Sequence, residues 1–85
     1  MNNAHRKTLA AIFSRPTQAG IRWADIEALV IALGGEVDGK REGSRVAMTL
    51  NGVRAIFHRP HPKPDTKKGA VDAVRQFLSN AGIRP

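Results

Sequence analysis

The chain contains no cysteine. A disulfide framework and a thiolate metal site are therefore excluded. Tyrosine is absent too, and the aromatics amount to one Trp and three Phe. All four fall at positions that read as core, so they cannot form an aromatic platform for stacking bases. The longest uncharged apolar run, Ala28 to Leu33, is far too short to span a bilayer. The start, MNNAHRKTLAAIFSRP, has basic residues and a short apolar patch. It lacks the length and the small-residue cleavage site of a secretory signal. A cytoplasmic protein with no membrane association is expected. No Gly-rich phosphate loop occurs, and no His or carboxylate pair has metal-ligand spacing. Neither a metal nor a small-molecule cofactor is expected.

What is present is charge of one sign, unevenly spread. The 85 residues carry 14 Lys and Arg against 7 Asp and Glu, a net charge of +7. Residues 1–39 are balanced, with Arg6, Lys7, Arg15 and Arg22 set against Asp25, Glu27, Glu36 and Asp38. Residues 40–68 hold Lys40, Arg41, Arg45, Arg54, Arg59, Lys63, Lys67 and Lys68 against only Glu42 and Asp65. A basic excess confined to one part of a fold is the footprint of a polyanion partner. Nucleic acid is the first expectation, and an acidic protein partner is compatible with the same pattern. The length allows one domain, residues 1–85, with a small core.

The elements follow from spacing. A first helix is predicted over Ala4 to Phe13, with Leu9, Ile12 and Phe13 on one face, stopped by Pro16. A second runs from Ala24 to Leu33, because Trp23, Ile26, Leu29, Val30 and Leu33 recur at helical intervals. Asp25 and Glu27 suit the positive end of its dipole. A short edge strand is expected over Glu36 to Lys40. Two alternating runs, Arg45 to Leu50 and Val53 to His58, flank Asn51-Gly52. That dipeptide favours the type I′ turn of a two-residue hairpin and so sets the register. Val46, Met48, Leu50, Val53, Ala55 and Phe57 then share a core face. Arg45, Thr49, Arg54 and His58 lie on the other, open face. The prolines of HRPHPKPD forbid helix and central strand. A last helix is predicted from a Thr66 N-cap, with Ala70, Val71, Val74, Phe77, Leu78 and Ala81 buried and Gly82 closing it. The result is an α+β two-layer domain: a three-stranded antiparallel sheet with helices on one face. From the second helix onward the order is that of a double-stranded-RNA-binding fold, with the N-terminal helix as an addition.

Three features can carry chemistry. Gly43-Ser44-Arg45 enters the hairpin, where Ser44 can donate to phosphate and Arg45 can grip it bidentately. A simple turn into a strand accounts for Gly-Ser equally well. Arg45 and His58 fall opposite one another in the register, with Cβ atoms about 5 Å apart. A cation beside the imidazole favours its neutral form, which can accept a proton from a ribose 2′-hydroxyl while the arginine stabilises the phosphorane. An exposed histidine with no task fits the same position. The third feature is Arg59-Pro60-His61-Pro62-Lys63, followed by Lys67 and Lys68. The two later lysines stand in the first helical turn, where the dipole disfavours cations, which suggests a phosphate there. The plainer reading of His61 is a loop surface residue.

The pattern resembles the HicA toxins of bacterial toxin–antitoxin pairs. The matching residues are a helix ending Leu33-Gly34-Gly35, then Gly43-Ser44 before a strand, His61-Pro62, Lys67-Lys68-Gly69, Val74-Arg75-Gln76-Phe77-Leu78 and Ala81-Gly82-Ile83. The likeness covers a core of residues 21–83 and leaves 1–20 as a helical extension. It implies a double-stranded-RNA-binding-like fold, cleavage of mRNA, growth arrest, and neutralisation by a HicB-like antitoxin encoded beside it. The family usually carries Gly-Ser-His, and that histidine is taken as catalytic, whereas here the position is Arg45. The resemblance therefore implies a metal-independent endoribonuclease with His58, Arg45 and His61 as catalytic candidates. Lys40, Arg41, Ser44, Arg54, Arg59, Lys63, Lys67 and Lys68 are the RNA-binding candidates. The alternative is a non-catalytic RNA-binding or regulatory domain of the same fold.

Overall fold

Asn51 and Gly52 both adopt positive φ, 50° and 80°, as a type I′ turn requires. The turn joins β3 (Arg45–Leu50) to β4 (Val53–His58) in the expected register, from Leu50↔Val53 out to Arg45↔His58. On the far side of β3 lies β2 (Glu36–Asp38), antiparallel, with Glu36 opposite Thr49. The computed structural model describes residues 1–39, 43–61 and 63–85. The predicted end of this edge strand at Lys40 lies outside them.

Two helices, α2 (Trp23–Ala32) and α3 (Lys68–Asn80), pack on one face of the sheet, and α1 (Asn3–Phe13) packs against both of them. The Asn2 side chain accepts the His5 N–H at 2.9 Å, and His5 Nδ1 accepts the Asn2 N–H at 3.3 Å. This capping box satisfies two orphan donors of α1. It also gives His5 a structural role. The apolar stripes behave as spaced. Ile12, Ile26, Leu29, Val30, Val46, Met48, Val71, Val74 and Leu78 are all fully buried. Each contributes about 1.5–3 kcal/mol of burial. Leu33 and Ala70 sit at the stripe edges, half-buried. Phe57 is the aromatic centre, 5.9 Å from the Trp23 ring and 5.7 Å from the Phe77 ring. Such spacing favours tilted and edge-on contact.

One expectation needs correction. Thr66 is not the cap of the last helix. It belongs to β5 (Asp65–Thr66), which pairs antiparallel with β1 (Ile21–Arg22) in a separate two-stranded ribbon. The cap is Lys67, without a side-chain hydrogen bond. The buried Thr66 hydroxyl finds no protein partner among the described residues. The segment before α3 therefore ends in a strand rather than in loop alone, because its backbone can pair with the chain entering α2.

Arg75 makes contacts that the sequence did not signal. It lies in the buried stripe of α3 and is only 9% exposed. Its guanidinium donates to the Ile12 carbonyl at 2.8 Å, to Thr17 Oγ1 at 3.0 Å and to Asp72 at 3.0 Å. A buried cation is tolerable because its donors are taken up in this way. It ties the end of α1, and the chain leaving it, to α3.

Candidate functional site

The ribbon places the chain before α2 beside the chain before α3. The Gly20 N–H donates to the Thr66 carbonyl at 3.1 Å, and the Trp23 N–H to the Pro64 carbonyl at 3.0 Å. Between this ribbon and the end of the hairpin opens a cleft of about 740 Å³. His58, Arg59 and His61 line it from the β4 side, and Lys63, Asp65 and Lys67 from the segment entering α3. Ala19 and Gly20 form a further part of the wall. The structure thus brings His58, His61, Arg59, Lys63 and Lys67 to one concavity.

The other candidates are distributed around it. Arg45 is exposed and paired in register with His58, as expected. The side chain found against the His58 ring, however, is Ser44, whose Oγ lies 3.4 Å from Nδ1. The Arg59 N–H donates to the Ser44 carbonyl at 2.8 Å, which extends the hairpin ladder by one rung and holds the two residues together. Arg54 is exposed on the open sheet face, beside Thr49, and does not line the cleft. Lys68 is exposed in the first turn of α3, next to the cleft-lining Lys67. Lys40 and Arg41 lie outside the described residues.

Arg59 is already engaged. Its Nε donates to Glu27 at 2.8 Å and one terminal nitrogen to the same carboxylate at 3.3 Å. The hydrogen bond to Glu27 raises its pKa above the ordinary arginine value. Glu27 also accepts from the Trp23 indole N–H. The carboxylate expected to serve a helix dipole is thus the anchor that locks the end of β4 to α2. The guanidinium lies so close over Gly39 that a Cβ there would collide with it.

Sequence reasoning missed several contributors to the wall. Asp65 puts a carboxylate among the cations of the cleft. Ala19 and Gly20 carry no chemical signal in the sequence and reach the site only through the β1–β5 pairing. Among the described residues, no three His, Asp or Glu side chains converge as a metal site would need. No helix among them is long and apolar enough to cross a membrane.

A two-layer α+β domain of double-stranded-RNA-binding type, with a basic cleft at one end of the sheet, is the class that this geometry defines. Residues 23–83 match the family model described as HicA toxin of bacterial toxin-antitoxin, and the chain belongs to that family. It is accordingly the toxin component of a toxin–antitoxin pair, whose partner is an antitoxin. Searches of curated proteins and of solved structures found no match.

Proposed function

We propose that the chain is a metal-independent endoribonuclease that cleaves mRNA in this cleft and is neutralised by a HicB-like antitoxin. The carrying observation is that His58 and His61 line the same cavity as Lys63 and Lys67. Cleavage of RNA without a cofactor needs a base, an acid and positive charge around one phosphate. His58 takes the proton of a ribose 2′-hydroxyl, and the freed oxygen attacks the adjacent phosphorus. The bond from phosphorus to the 5′-oxygen breaks, and protonated His61 gives that oxygen its proton. The products are a 2′,3′-cyclic phosphate and a 5′-hydroxyl. Lys63 and Lys67 balance the charge of the phosphorane, and Arg45, across the strand pair from His58, holds the phosphate.

The test is induced expression without the antitoxin, with growth and mRNA integrity as readouts, for wild type, His58→Ala, His61→Ala and the double variant. General acid–base catalysis contributes about 10²–10⁴ in rate, so each single variant is expected to lose most cleavage while still binding RNA. A double variant that cuts and arrests growth like wild type overturns histidine chemistry. Arg45, standing where the family usually has histidine, favours the second reading, a domain that binds RNA without cutting it. Wild-type protein that binds RNA and leaves it intact would establish that reading.

A further inference from the structure

A second groove, of about 330 Å³, adjoins the cleft. Lys7 of α1, Gln18, Arg22 of β1 and Asp25 of α2 line it. It shares Ala19 and Gly20 with the cleft, so these two residues are the divide between the two cavities. They are the smallest side chains available, and nothing stands within 4 Å of where a Cβ on Gly20 would lie. The divide is therefore a low saddle rather than a wall. Lys7 and Arg22 are exposed. Asp25, in the first turn of α2, supplies one carboxylate against these two cations.

We infer that this groove is a second RNA-backbone site, in which a single strand leaving the cleft crosses the Ala19–Gly20 saddle and places phosphates against Lys7 and Arg22. The inference rests on the RNA-cleaving reading of the cleft and adds to it the direction and reach of the substrate. A single strand fits because its backbone can bend over a saddle and continue, and its phosphates need only point charges spaced along the path. Most of the groove lies outside residues 23–83, the part that matches the family. The substrate path is thus extended by this chain's own N-terminal segment. Charge counted along the sequence hides it, since residues 1–39 are balanced overall and only folding brings Lys7 and Arg22 beside the cleft.

The experiment measures binding of 2′-O-methyl RNA, which cannot be cleaved, by fluorescence anisotropy across a salt series. Single-stranded tetramer and dodecamer probes are compared on wild type and on Lys7→Ala/Arg22→Ala. Wild type is expected to bind the dodecamer at least about tenfold more tightly than the tetramer. The double variant is expected to bind the tetramer as wild type does and to lose most of the dodecamer advantage. Its log–log salt slope for the dodecamer should shrink by about 1.4, from roughly 0.7 for each of two released phosphate contacts. A dodecamer bound by the variant with wild-type affinity and slope overturns the second site. So does a variant that binds RNA normally but has lost affinity for the antitoxin, which would make the groove a protein contact. Failure of wild type to bind either probe removes the RNA reading of the cleft itself, and is distinguishable because the variant is then irrelevant to the outcome. An unchanged melting temperature of the variant separates loss of contact from loss of fold.

Discussion

Ser44 and His58 meet across the open end of the hairpin, the serine Oγ 3.4 Å from the imidazole Nδ1. The backbone places them there, because the Arg59 N–H bonds the Ser44 carbonyl immediately beyond the last paired residues. A hydroxyl at one ring nitrogen influences which nitrogen carries the proton and which way the other one faces.

Ser44→Ala is therefore expected to lower RNA cleavage several-fold while leaving the melting temperature within about 4 °C of wild type, since exposed substitutions away from special features fall within roughly ±0.5 kcal/mol. Single-turnover cleavage and thermal unfolding check both halves. Unchanged cleavage would remove Ser44 as the residue that orients His58.

Arg75→Met keeps the apolar stem but strips the donors from the Ile12 carbonyl and Thr17. Leaving buried acceptors unpaired costs about 1–3 kcal/mol apiece. A loss of about 3 kcal/mol is expected, which lowers the melting temperature by roughly 12–24 °C in a domain of this size. Calorimetry measures it directly. A variant that melts within a few degrees of wild type would mean that the contact between α1 and α3 rests on apolar packing alone.

Asp72 lies in the same network. Its carboxyl is held below the usual aspartate value, first by the hydrogen bond from the Thr17 hydroxyl and then by the neighbouring Arg75 and Arg15 cations. A lowered folded-state pKa stabilises the fold above the unfolded value of about 3.9 and ceases to do so as pH falls through the lowered value. Wild type is expected to lose stability below about pH 4 partly through this group. Asp72→Asn should be less stable at neutral pH and show a shallower acid limb in urea titrations at several pH values. Parallel acid limbs would assign the pH dependence to other carboxylates.

Ile56 is 41% exposed in the middle of the open sheet face, between Arg54 and His58. An apolar side chain rimmed by cations suits the centre of an interface with an acidic partner. Ile56→Asp is expected to weaken antitoxin binding at least about a hundredfold, or about 2.7 kcal/mol, without altering the fold. Calorimetric titration with the antitoxin checks this. Wild-type affinity would place the antitoxin elsewhere on the surface.

Legibility in the sequence followed how local each determinant is. The register that sets Arg45 against His58 depends on two adjacent residues, Asn51 and Gly52, and was readable to the residue. The helical stripes were readable because each is a repeat within a dozen residues. The ribbon was not, since two-residue strands leave no alternation to detect and Ile21 meets Thr66 only after everything between them has folded. The cleft therefore went unseen as a cavity, although five of its lining residues, His58, Arg59, His61, Lys63 and Lys67, were already candidates. The contacts of Arg75 and Glu27 were not legible for one reason. A charged residue on a helix reads as surface until the carbonyls or the guanidinium that it serves are brought to it by other elements.

The ribbon also sets the order in which the molecule can assemble. The hairpin closes a two-residue loop, and turns of that kind form in about 1–10 μs. Pairing Ile21 with Thr66 must instead close the whole intervening chain, and contacts so distant along a sequence are slow to form and yield their stabilisation only after the loop entropy has been met. The cleft has one wall on each side of that closure. A nascent or half-unfolded chain can carry a complete hairpin, with Ser44 beside His58, and still have no cavity. On the proposed function, competence to hold RNA is thereby tied to this long-range closure, and an antitoxin needs to recognise only the finished form.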